Sequence, residues 1–371
     1  MKPIMFPLAY LAKCYSDNYA EAQQKFKQYT CNQAGHSLYR EFVYGETGPN
    51  AETLVTAVSW QGDVDANTVL VLQSGVHGVE GFVGSAIQLD TLQTTANETL
   101  PAGVAILYVH AINPYGFAWL RRVNERGVDL NRNFVDFSQP LPTNKGYAQL
   151  ADSILPHRLE DWDSATQVLS DYARESGQQA FELAVSSGQY QFADGLFYGG
   201  TQPSQSRLNL EQIIDDFELQ HRQRVAVIDI HSGLGPFGYG ELICDHPPGS
   251  SGVKRARQWY GDSVTEPALG SSSSVPKQGL IDFLWHQRLK EAVCFVTLEF
   301  GTYPVERMFE ALRQDHFLHR QAVDWFNRET QQVKQALRHI FYPGSVDWQE
   351  MTLWRGRQCI RQALQGLNND E

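Results

Sequence analysis

Apolar and polar positions alternate along this chain in two recurring patterns. Short runs rich in β-branched residues, Thr68-Val-Leu-Val-Leu72, Val225-Ala-Val-Ile-Asp-Ile230 and Phe295-Val-Thr-Leu-Glu-Phe300, read as strands buried on both faces. The first leads into a turn and then a helix from about Val79 to Leu92. Tyr239-Gly-Glu-Leu-Ile-Cys244 reads as a further strand. Between Asn133 and His231 the pattern turns helical, at Tyr147 to Asp152 and from Trp162 through Val185, before a Gly/aromatic stretch from Ser186 to Thr201. Strands alternating with helical stretches predict an α/β fold with a mixed, largely parallel central sheet flanked by helices. No linker, repeat or low-complexity tract divides the chain, and Ser271 to Ser274 is too short to separate domains. A single domain over 1–371 is therefore expected, with a helical and Gly/aromatic insertion at about 137–222 that could wall off a cleft.

Composition narrows the class. A net charge of −12 and a pI near 5.4 disfavour nucleic acid and anionic membrane as partners. No apolar stretch reaches bilayer length, and the start, Met1 to Lys13, is interrupted by Pro7 without a convincing Ala-x-Ala cleavage site. Cys14, Cys31, Cys244, Cys294 and Cys359 are odd in number, widely spaced and free of any Cys-x-x-Cys pair. That favours a reduced, cytoplasmic protein without a structural zinc site, in which the sequon Asn97-Glu-Thr99 is incidental.

Candidate chemistry gathers at strand ends. His77 and Glu80 follow the first strand, and such a turn projects both side chains to the carboxyl edge of the sheet, where open α/β sheets bind ligands. His231 follows the second apolar run and should reach the same edge. Two imidazoles and one carboxylate leave one position of a tetrahedral zinc open, the pattern of a catalytic metal. With 11 histidines in the chain a chance His-x-x-Glu is common, so these residues gain meaning only in combination. Gly233-Leu-Gly-Pro-Phe-Gly238 fits a dinucleotide-binding spacing, but Pro236 lies inside it and a strand follows where a helix is required. Neither Gly-x-Ser-x-Gly nor a P-loop Gly-Lys-Ser/Thr is present.

The combination is supplied by Asn113-Pro-Tyr-Gly-Phe117, Arg122-x-Asn124 and Gly127-Val-Asp129-Leu-Asn131-Arg132-Asn133-Phe134. Together with His77-x-x-Glu80, His231-Ser-Gly and Glu299-Phe-Gly-Thr, these resemble the core signature of the zinc carboxypeptidase superfamily, the carboxypeptidase A-like enzymes. More narrowly, Ser74-Gly-Val-His-Gly-Val-Glu-Gly-Phe-Val-Gly-Ser-Ala-Ile-Gln88, Gly188-Gln-Tyr and Gly195-Leu-Phe-Tyr-Gly-Gly200 resemble a bacterial subfamily of unknown function. The resemblance spans nearly the whole chain.

It implies one zinc per chain, held by His77, Glu80 and His231, with Glu299 as the general base. Arg122 then matches the residue that polarises the scissile carbonyl and stabilises the oxyanion. Asn131 and Arg132 match the pair that holds a substrate carboxylate, and Asp129 matches the acid that accepts a hydrogen bond from His77. Ile281, by the same resemblance, lines the specificity pocket and would favour apolar over basic side chains. The pattern is broken at one place: Gly279-Leu-Ile281-Asp282 is preceded by Ser271-Ser-Ser-Ser-Val-Pro-Lys-Gln278, where the superfamily carries a mobile tyrosine. The leading expectation is a zinc-dependent hydrolase of an amide adjacent to a free carboxylate, acting on small peptides. A deacylase of N-acyl amino acids, of the aspartoacylase and succinylglutamate desuccinylase type, is the alternative, and a non-catalytic zinc-binding protein the third.

Overall fold

The computed structural model describes residues 6–31, 36–96 and 100–369. The sequon Asn97-Glu-Thr99 and the first five residues of the chain lie outside them. The strands are β1 (His36–Thr47), β2 (Thr53–Gln61), β3 (Thr68–Ser74), β4 (Val104–His110), β5 (Arg224–Gly233), β6 (Gly240–Ile243), β7 (Val264–Thr265) and β8 (Val293–Gly301). They form one eight-stranded sheet in the order β1-β2-β4-β3-β5-β8-β6-β7. Its centre, β4-β3-β5-β8, is parallel; β1-β2, β2-β4 and β8-β6 pair antiparallel.

The apolar runs form the central strands because both sheet faces are covered. Leu70, Leu72, Ile228 and Val296 join the core on one side; Val69, Val71, Val227 and Phe295 join that on the other. The helix Gly81–Thr95 is buried along almost its whole length and, with Val346–Asn369, covers the first face. Asp282–Leu289 and Gln205–Asp216 cover the second.

The α/β architecture with its mixed, largely parallel sheet is thus as expected, with local differences. The helix after His77 opens with a tight 3-10 turn, Gly78–Glu80, before the α-helix Gly81–Thr95. Helical patterning from Trp162 through Val185 resolves into two helices, Trp162–Ser176 and Gln178–Ser186, split where Gly177 adopts φ 90°. These two, with Lys145–Ile154, pack a third apolar cluster against the helices Val305–Leu318 and Arg328–Phe341. Helix Gln205–Asp216 resumes after the Gly/aromatic stretch, so the expected insertion is helical on both sides of it.

Candidate metal centre and active site

Strand parity brings the central groups together. In β5, Asp229 and His231 are two residues apart and face the same side; in β8, Thr297 and Glu299 do likewise, with Glu299 in register beside His231. His231 therefore lies inside its strand, two residues before the end, rather than beyond it. His77 comes from the turn after β3, which sits against the Asn113–Gly116 turn at backbone contact. A Cβ on Gly78 would fall 2.0 Å from the Gly116 carbonyl carbon, so only glycine permits this approach.

His77 Nδ1 lies 2.9 Å from Glu80 Oε1, His231 Nδ1 lies 3.0 Å from Glu80 Oε2, and the two Nδ1 atoms are 3.1 Å apart. All three side chains are buried, and their ligand atoms lie within 4.8 Å of one another. The far nitrogen of each ring meets a carboxylate: His77 Nε2 to Asp129 Oδ1 at 3.1 Å, and His231 Nε2 to Asp229 Oδ2 at 2.7 Å. An ionised carboxylate only accepts, so each ring donates from Nε2 and, when neutral, turns the Nδ1 lone pair inward. Two inward lone pairs and a carboxylate at such separations repel unless a cation lies among them. The donor set therefore fits a divalent metal of the zinc type.

Electrostatics agree with that reading. Burial alone would raise the Glu80 carboxyl, but His77 and His231 hold it below the usual carboxylate range. Burial would lower His231, yet Asp229 and Glu80 hold it well above the ordinary histidine value. Arg122 donates from Nε to Asp129 Oδ2 at 2.9 Å and from Nη1 to Glu80 Oε1 at 3.2 Å, which ties it to the same cluster. Glu299 Oε1 accepts from the Leu234 amide at 2.9 Å, and burial, reinforced by Glu80, pushes its carboxyl up to about 7. A carboxyl that titrates near neutrality is suited to take and return a proton.

His77, Glu80, Arg122, Asn131, Arg132, His231, Ile281 and Glu299 all line one pocket of about 70 Å³. Asp129 stands behind it, against His77 and Arg122. The Asn131 side-chain oxygen accepts from Ile281 N at 2.8 Å. Arg132 donates both Nη groups to backbone carbonyls, of Asn131 and Ser186, each at 2.6 Å. Its Nε has no hydrogen-bond partner among the described residues. The Gly/aromatic stretch explains how this arginine is held: Tyr190 donates to the Arg132 carbonyl at 2.7 Å, and Gly188 and Gly199 make room beside it.

Four residues here were not singled out from the sequence. Asp229 had a legible signal, an acid two positions from a candidate ligand on a strand. Asp245, Lys277 and Asp282, which line the floor of the pocket, had none in local spacing. Ile281 lines the pocket beside the apolar Ile243, Leu280 and Phe295 as well as Asp245, Lys277 and the buried Asp282. Lys277 comes from the loop that lacks the tyrosine, and no tyrosine lines the pocket among the described residues. Burial, with Arg132 adding to the effect, lowers the Lys277 ammonium to about 8, and burial together with Asp245 drives the Asp282 carboxyl well above its usual range.

Residues 15–355 match the family described as "Protein of unknown function (DUF2817)". The chain belongs to that family. No curated protein matches it. Among solved structures it is similar to a carboxypeptidase A from Helicoverpa armigera, at 15% identity over 97% of this chain and 76% of that one, with a TM-score of 0.49. It is also similar to a succinylglutamate desuccinylase from Chromobacterium violaceum, at 14% identity over 89% of this chain and 76% of that one, TM-score 0.37. A murein-tripeptide amidase from Escherichia coli O157 matches at 15% identity over 78% of this chain and 94% of that one, TM-score 0.35. No helix among the described residues is long and apolar enough to cross a membrane.

Proposed function

We propose that the protein is a zinc-dependent hydrolase that cleaves an amide bond adjacent to a free carboxylate. The observation that carries the reading is the convergence of His77, Glu80 and His231, each imidazole backed by its own aspartate, beside Glu299 in register on the neighbouring strand. A zinc bound there would supply Lewis acidity and an activated water.

The chain's own groups do the rest. Glu299, in register beside His231, takes a proton from the attacking water and delivers it to the leaving amine. Arg122, held by Asp129 and Glu80, offers positive charge to the oxygen of the scissile carbonyl as negative charge develops on it. Arg132 and the Asn131 amide receive the substrate carboxylate. Its charge suits that role because no carboxylate is ion-paired to Arg132 among the described residues; backbone carbonyls hold the guanidinium instead.

Peptides and N-acyl amino acids both satisfy this chemistry. The missing tyrosine, with Lys277 facing the pocket from that loop, favours the N-acyl amino acids. The test is a panel assay of the zinc-loaded protein on dipeptides, acidic cell-wall peptides and N-acyl amino acids, each with a free and an amidated carboxylate, reading liberated amine. Cleavage confined to free-carboxylate substrates is expected. Equal handling of free and amidated forms would remove the carboxylate requirement.

A further inference from the structure

The small polar pocket opens into a second, several times larger chamber of about 560 Å³. The two share Arg122, Arg132, Leu234, Ser274, Lys277 and Met308, so they form one cleft with a charged inner end and a wide outer one. The outer chamber is a product of the helical insertion. Leu169 and Ala173 from Trp162–Ser176 and Phe181 and Val185 from Gln178–Ser186 face Met308 and Phe309 of Val305–Leu318 across it.

Most of the lining surface is hydrocarbon, with Thr166, Ser170, Gln178, Glu182 and Glu306 also reaching it, and Arg313 is already committed. Arg313 donates to the carbonyls of Ile154 and Ser153 and to Thr166 Oγ1 and Glu310. At the neck stands Phe197, a non-glycine residue in the left-handed region at φ 56°, with its ring 5.5 Å from the Arg122 guanidinium and 5.6 Å from that of Arg132. A strained backbone that places an apolar ring between the charged end and the chamber marks a boundary between two kinds of ligand surface. A peptide in the chamber would bring an amide N–H and C=O at every residue, and those set against its hydrocarbon surface would be buried without partners, which is costly. A hydrocarbon chain meets no such cost.

We propose that the chamber holds a long, apolar acyl chain, so that the substrate amide joins a fatty acyl group to a small amino acid whose carboxylate sits at Arg132. This rests on the amide-hydrolase reading and narrows it. The reaction is hydrolysis: water adds across the C–N bond, the acyl carbon gains the hydroxyl to give a fatty acid, and the nitrogen gains the proton to give the free amino acid.

The experiment measures amine release from N-acyl-alanines running from acetyl to dodecanoyl, beside Ala173→Trp and Ser170→Trp, which fill the chamber without touching the inner pocket. Each added methylene should raise kcat/KM about two- to fourfold until the chamber is full. Either tryptophan should cut the dodecanoyl rate at least about tenfold and leave the acetyl rate unchanged, Ser170→Trp serving if Ala173→Trp lowers the melting temperature. A flat profile, or apolar dipeptides cleaved better than dodecanoyl-alanine, overturns the proposal and leaves the hydrolase reading standing. If nothing is turned over, the hydrolase reading fails instead, and calorimetric binding decides the chamber. Dodecanoyl-alanine bound far more tightly than acetyl-alanine, with the difference lost in Ala173→Trp, supports it; equal or absent binding overturns it.

Discussion

The metal basin and the floor of the same pocket solve burial in opposite ways. In the basin almost every charge already faces a partner: His77 meets Asp129, His231 meets Asp229, and Arg122 meets both Asp129 and Glu80. On the floor, Arg132 leans on backbone carbonyls with its Nε unpartnered, Lys277 donates to Ser274 and to the Val275 carbonyl, and the buried Asp282 carboxyl is driven far above its normal range. Groups already paired are held in one geometry before a ligand arrives, which suits a metal that needs fixed donors. Groups buried with incomplete partners carry a desolvation cost that a ligand of matching charge would relieve. On the proposed reading the first region would hold the metal and the second would receive the substrate.

The sharpest break in this contrast is removal of a basin donor. His77→Ala or His231→Ala should abolish most zinc binding, measured by metal analysis after dialysis. Near-stoichiometric zinc in both variants would sink the assignment. Next in size, Glu299→Gln keeps the shape and removes the base, so zinc content should survive while kcat falls by about 10²–10⁴. Turnover like that of the unchanged protein would take Glu299 out of the chemistry.

The aspartates behind the histidines test whether pairing, rather than ligation alone, makes the basin. Asp229→Asn and Asp129→Asn should each weaken zinc affinity about 10- to 100-fold in a chelator competition. The same substitution at Asp245, on the floor, should leave zinc affinity unchanged. A loss at Asp245 equal to that at Asp229 would erase the distinction between the regions.

Smaller again is the effect at Arg132. Charge-assisted bonds to a substrate carboxylate contribute about 1.5–3 kcal/mol, so Arg132→Ala should lower kcat/KM at least about tenfold for free-carboxylate substrates and little for amidated ones. An equal loss for both would make Arg132 a structural element of the loop. The finest probe is titration of Glu299, whose carboxyl is pushed by burial up to about 7. A cation beside it favours the ionised form, so added zinc should lower that value by roughly one unit or more, seen by carboxyl NMR. An unmoved value would place Glu299 beyond the influence of the metal.

Much of this site was legible residue by residue. The strands at Thr68, Val225 and Phe295 announced themselves because a central parallel strand is apolar on both faces, and a polar residue that interrupts such a run near its end must emerge at the sheet edge. His231 lies in such a run and His77 and Glu80 in the turn after one, whereas Glu299 was marked by the family resemblance and not by its strand. Asp229 was within reach of the same logic, since side chains two apart on a strand share a face. Gly177 was equally visible yet hidden inside a helical periodicity that runs on both sides of it.

What the sequence determined by itself, then, is local: where the chain must be extended and where it must coil, and which polar side chains interrupt the apolar strands. The tertiary structure alone decided what meets across the fold. Lys277 joins Asp245 and Asp282 because β6 pairs with β8 and the loop before Asp282–Leu289 folds back over that edge. Helices more than a hundred residues before Met308 close a chamber against it because their apolar faces find no other surface to cover. Such meetings depend on strand order and helix docking, which are set by the summed burial of many residues and leave no mark in the spacing of any few.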